Sequence, residues 1–134
     1  MTETRLGRQT PTQSVTIPYS KTRGQEAAEL YAKTGNELLE WQQLLQCDIM
    51  AVNDDGLWMH QKYGYSVPRR NGKSENVLAR CLWGLKNGER ILYTAHRATT
   101  SHAVWERLDR MCEKAGIKIS SSFKALRKRT LIHK

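Results

Sequence analysis

Val67-Pro68-Arg69-Arg70-Asn71-Gly72-Lys73-Ser74 brings together the residue types that hold a polyphosphate, in the order that such binding needs. The run matches the phosphate-binding P-loop pattern G-x-x-x-x-G-K-[ST], with Val67 standing where the first glycine would be. Successive backbone N–H groups at a strand-to-helix turn form a concave anion nest, and the helix dipole adds partial positive charge where β-phosphate oxygens would sit. Gly72 lets the backbone approach closely, Lys73 can reach between the β- and γ-phosphates, and the Ser74 hydroxyl can ligate Mg²⁺. Arg69 and Arg70 add guanidinium donors for an anion, and Asn71 completes the loop. The chemistry is that of a nucleotide's phosphates, with Mg²⁺ as the expected companion ion.

Such a loop works only where a strand delivers it and a helix leaves it. Leu57 to Val67 is aromatic and β-prone, bounded by the turn residues Asn53-Asp54-Asp55-Gly56 and by Pro68, and is expected to be extended. A helix is predicted from Lys73 to Lys86, with Val77, Leu78, Cys81, Leu82 and Leu85 on one face and Asn87-Gly88 as the stop. Arg90 to Ala95 has the form of a short buried parallel strand, and Thr100 to Ala115 that of a second amphipathic helix, closed at Gly116. Ile117-Lys118-Ile119 is placed to begin another strand. Upstream, Thr34 with Glu37 three residues on reads as a capping box opening a helix that carries Leu38, Trp41, Leu45 and Ile49. The alternation predicts an α/β fold: a P-loop NTPase-type parallel sheet with flanking helices, incomplete, as a fragment of a three-layer α/β/α sandwich. Three stretches follow: a poorly structured polar and basic arm over 1–33, a partial ATPase domain over 34–123, and a basic tail over 124–134.

At 134 residues the chain accommodates one modest core. Lys and Arg outnumber Asp and Glu 22 to 13, giving a net charge of +9 that draws the chain towards polyanions, nucleotide or nucleic acid alike. No apolar run approaches the roughly 18 residues of a membrane span, and the polar start lacks a signal-peptide core, so an intracellular protein with no membrane partner is expected. Cys47, Cys81 and Cys112 are too far apart for a C-x-x-C pair, and His60, His96, His102 and His133 form no metal-binding cluster, so the cysteines read as small buried hydrophobes.

Taken together, Val67 to Ser74, the helix end Cys81-Leu82-Trp83-Gly84-Leu85, and Tyr93-Thr94-Ala95-His96-Arg97 resemble the large terminase subunits of tailed bacteriophages. These are the ATPases of the DNA-packaging motor. The resemblance implies that Arg69, three residues before the Gly-Lys pair, contacts the γ-phosphate in cis. It also implies that the glutamine of the upstream Trp41-Gln42 pair reads adenine, and that His96 and Arg97 lie near nucleotide and DNA. Its partners would be double-stranded DNA, the small terminase subunit and the portal, in the cytoplasm of the bacterial host.

The resemblance spans about Asn36 to Phe123, the first part of the family's ATPase domain. Hydrolysis also needs an acid after an apolar strand to hold Mg²⁺ and a glutamate to position water. Downstream of the loop the acids are Glu75, Glu89, Glu106, Asp109 and Glu113, the last three on a predicted helix. The family's nuclease domain has no counterpart. The chain is therefore expected to bind ATP without turning it over, with Lys73 and Arg69 as the residues that would serve catalysis in a complete subunit. The basic run from Phe123 to Lys134 suggests an interruption of the family's pattern, by truncation or frameshift, and an open sheet edge predicts self-association or aggregation. A helicase-like P-loop ATPase fragment and a small basic DNA-binding protein with no nucleotide role are the alternatives.

Overall fold

The computed structural model describes residues 7–68, 72–124 and 129–133. The chain is mixed α/β, with helix α1 (Gly24–Ala32), α2 (Glu40–Ile49), α3 (Lys73–Lys86) and α4 (Ala98–Ala115) making up most of its regular structure. Strand β1 (Lys21–Thr22) pairs antiparallel with β2 (Ala51–Val52), while β3 (Arg90–Tyr93), β4 (Ile119–Lys124) and β5 (Arg129–His133) form a second sheet in the order β3-β5-β4.

The core is built by helices. Ala27, Leu30 and Tyr31 of α1, Leu78, Ala79, Leu82 and Leu85 of α3, and Leu108, Met111 and Cys112 of α4 are buried together, with Leu38, Met50 and Ile117 closing the ends. The α3 helix is central: its buried residues run from Asn76 to Leu85 and go well beyond one stripe, because α1, α2 and α4 all pack on it. Its stop is the one expected, with Gly88 at φ +82°. The α4 helix ends at Gly116, φ +72°, where the Ile117 N–H donates to the Cys112 carbonyl and satisfies one of the last-turn acceptors. Cys81 and Cys112 are buried, as read from the sequence, whereas Cys47 is half-buried.

Three expectations need correction. The first concerns the sheet: every ladder among the described residues is antiparallel, where a parallel sheet was expected. Along β3 the residues alternate exposed and half-buried, the mark of a strand with one solvated face, and a parallel strand would be covered on both. Its neighbour is β5, from the tail, aligned Arg90 with Ile132 through Tyr93 with Arg129.

The second concerns residues 57–67, which form no strand. Trp58 makes an isolated bridge to Val52 and the Met59 N–H donates to the Ala51 carbonyl at 2.9 Å, after which no ladder continues. The turn before them is as expected: Asn53 Oδ1 accepts from the N–H groups of Asp55 and Leu57.

The third concerns the upstream region. Part of the stretch expected to lack structure, 1–33, forms β1 and α1, whose Ala27, Leu30 and Tyr31 belong to the core. Thr34 ends α1: it is buried, and both its N–H and its hydroxyl donate to the Tyr31 carbonyl. The helix expected from Thr34 opens at Glu40 instead, where Gln42 Oε1 accepts from the Leu39 N–H at 2.7 Å. That is the reciprocal half of a capping box, set three residues further on.

Candidate nucleotide-binding site

The α3 helix begins at Lys73 with Gly72 before it at φ +83°, in the left-handed region that glycine tolerates best. Among the described residues no side chain caps this helix start; the Glu75 N–H turns back to the Gly72 carbonyl at 3.2 Å, and the N–H groups before it are the ones placed to meet an anion. Lys73 and Ser74 are exposed, with side chains that can reach an arriving phosphate. The helical half of the expected strand-loop-helix turn is thus formed, and the strand half is not. Arg69, Arg70 and Asn71 lie outside the described residues.

Gln42 meets this turn. Its Nε2 donates to the Gly72 carbonyl at 2.8 Å, joining two residues 30 positions apart in sequence. A Cβ on residue 72 would lie 2.6 Å from that nitrogen, so both the backbone angle and the close approach of Gln42 call for glycine. Gln42 is 3% exposed and its amide is engaged at both ends, by Gly72 and by the Leu39 N–H. Reading an adenine ring would require it to release one of these bonds; in this structure it positions the turn.

Behind the turn lies an ion pair that the sequence reading missed. Arg107 of α4 donates to Glu75 through both terminal nitrogens, at 2.5 and 2.9 Å, and the Tyr31 hydroxyl of α1 donates to the same carboxylate. Three helices therefore meet on one acid in the first turn of α3. Burial, with the Glu75 hydrogen bond second, pushes the Tyr31 phenol up to about 12, and the Glu75 hydrogen bond raises Arg107 further above its ordinary value. Glu75 would otherwise repel an incoming phosphate, and the bidentate guanidinium offsets that charge. Tyr65 adds a further tie, its hydroxyl donating to the Lys73 carbonyl at 2.7 Å, and burial raises its phenol to about 12. No local signal announces these partners, because Tyr31, Tyr65, Glu75 and Arg107 sit on four separate segments.

The remaining candidates fall apart from this site or into other bonds. His96 and Arg97 are exposed just before α4. Glu89 is paired to Arg80 at 2.8 Å, and Glu106 to His102 at 2.6 Å along one helix face. Among the described residues no three His, Cys, Asp or Glu side chains gather to hold a metal ion. Also among the described residues, no helix is long and apolar enough to cross a membrane. Compared with family models, curated proteins and solved structures, the chain matches none.

Proposed function

We propose that this chain is the N-terminal, ATP-binding part of a tailed-bacteriophage terminase large subunit, whose complete form couples ATP hydrolysis to packaging of double-stranded DNA in the host cytoplasm. The observation that carries this reading is the 2.8 Å hydrogen bond from Gln42 to the Gly72 carbonyl. It joins the Trp-Gln pair to the glycine of Gly-Lys-Ser, two features that the family resemblance ties to one nucleotide. An uncapped helix start with an exposed lysine and serine suits the phosphates, and the paired Glu75 leaves them unopposed. Lys73 would hold the β- and γ-phosphates, Arg69 and Arg70 would add guanidinium donors for them, and Ser74 would hold Mg²⁺, whose charge would offset that of the triphosphate. The small terminase subunit and the portal are the partners of the complete motor. Its P-loop-type parallel sheet would assemble on the edge of β3 that β5 does not use.

Binding and turnover separate in this reading. The phosphate nest and Lys73 stabilise bound ATP, whereas the groups that set the hydrolysis rate act on the transition state. Glu75, Glu89 and Glu106 are each engaged by a cationic or ionisable neighbour, and Asp109 and Glu113 lie on helix α4. Equilibrium binding of labelled ATP with Mg²⁺ to the purified chain, together with a phosphate-release assay, tests this. The expected result is binding without steady hydrolysis, lost on Lys73→Ala and retained on His102→Ala. Equal ATP affinity in wild type and Lys73→Ala would overturn the nucleotide site, and steady hydrolysis lost on Lys73→Ala would overturn the separation of binding from turnover.

A further inference from the structure

A second concavity, of about 470 Å³, opens where α2 and α3 meet the segment after β2, and the nucleotide reading makes no use of it. Its lining is Ile49, Trp58, His60, Gln61, Tyr63 and Arg80, and its volume lies within the range of sites that take a small organic ligand. We propose that this cavity receives an unstacked nucleobase of single-stranded nucleic acid.

The aromatic lining is held firmly. Trp58 stands edge-on to Trp83 with ring centroids 5.4 Å apart, and the Arg80 guanidinium lies 5.0 Å from the Trp58 centroid. Tyr63 and His60 form a second edge-on pair at 5.2 Å. Flat, pre-set ring surfaces beside a cavity favour a flat ring as ligand, because little side-chain entropy is left to lose.

The polar groups narrow the choice. His60 lines the cavity, and its Nε2 is buried with no hydrogen-bond partner among the described residues, so a turn of the ring would bring that nitrogen to a ligand's polar edge without breaking an existing hydrogen bond of Nε2. A base edge carries both donors and acceptors, and the Gln61 amide offers both in return. The charges favour a neutral group inside and an anion outside. Arg80 is already held by Glu89 through two hydrogen bonds, at 2.8 and 3.2 Å. Burial, with the Asp48 carboxylate second, raises the Tyr63 phenol, and that carboxylate, which accepts from Tyr19 at 2.7 Å, disfavours an anion nearby. Lys62, exposed between Gln61 and Tyr63, and the +9 charge of the chain suit a phosphate backbone running past the mouth. Arg80 is seven residues beyond Lys73, about 10 Å along α3, so the cavity and the phosphate turn are separate places on one helix.

The test is photocrosslinking of the intact chain to a single-stranded oligonucleotide carrying 5-iodouracil, with the adduct mapped by peptide mass spectrometry. The expected adduct is on Trp58 or Tyr63, unaffected by excess ATP and absent with the fully paired duplex. In parallel, Tyr63→Leu, checked for native circular dichroism, should weaken oligothymidylate binding about tenfold. An adduct confined to other positions, loss of the adduct on adding ATP, the same adduct with duplex, or unchanged affinity in a folded Tyr63→Leu would each overturn the proposal. If Tyr63→Leu does not fold, the crosslink position in the unaltered chain decides.

Discussion

Gly72 concentrates the argument at the scale of single residues. Its φ of +83° costs any other L-residue about 1–2 kcal/mol, and a methyl group there would also press on Gln42 Nε2 at 2.6 Å. Gly72→Ala should therefore lower unfolding stability by about 1–2 kcal/mol in a urea titration and weaken ATP binding at the same time. Gln42→Ala, which frees the space but removes the tether, should weaken ATP binding with the backbone angle left as it is. The sequence made Gly72, Lys73 and Ser74 visible because their chemistry is local: three adjacent residues at a helix start. It did not make visible that Gln42 spends its amide on the protein backbone, since the Gly72 carbonyl belongs to a segment 30 positions away.

Between elements, the Glu75 carboxylate is the point where α1, α3 and α4 are fastened, through Tyr31 and Arg107. Tyr31 is raised from 10.0 to about 12 in the fold, so the folded chain favours the protonated phenol. Its contribution is complete below pH 10 and declines as pH rises towards 12, by on the order of 2 kcal/mol. Alkaline unfolding followed by circular dichroism should show that decline, and Tyr31→Phe should flatten it; equal slopes for the two proteins would contradict the assignment. Helices were the legible part of the fold. The α3 and α4 helices lie within two residues of their expected limits, because apolar periodicity and the Gly88 and Gly116 stops are written along the chain. Strand pairing was not legible: Arg90-Ile91-Leu92-Tyr93 has the composition of a buried parallel strand, yet its direction of pairing depends on a tail that follows it by almost forty residues. The α1 helix was hidden for another reason. Its nine residues are too short for a strong periodic signal, and its first residue, Gly24, packs against the backbone of Cys47, a contact that no local pattern announces.

For the molecule as a whole, β3 is an open edge. Among the described residues β3 pairs on one side only, with β5, and Leu92 in its middle is 58% exposed. An open edge that carries an apolar side chain is a template for another chain. Sedimentation velocity should therefore show association that grows with concentration, and Leu92→Lys should suppress it while leaving the melting temperature nearly unchanged; a wild-type monomer at every concentration would contradict this. The tryptophan pair at α3 has an optical consequence. Trp58 and Trp83 hold their indoles 5.4 Å apart at an interplanar angle of 75°, close enough and skewed enough for their ultraviolet transitions to couple into a paired positive and negative circular-dichroism band. That couplet would report directly whether the segment after β2 is docked on α3, and Trp58→Phe should erase it without changing the helical signal.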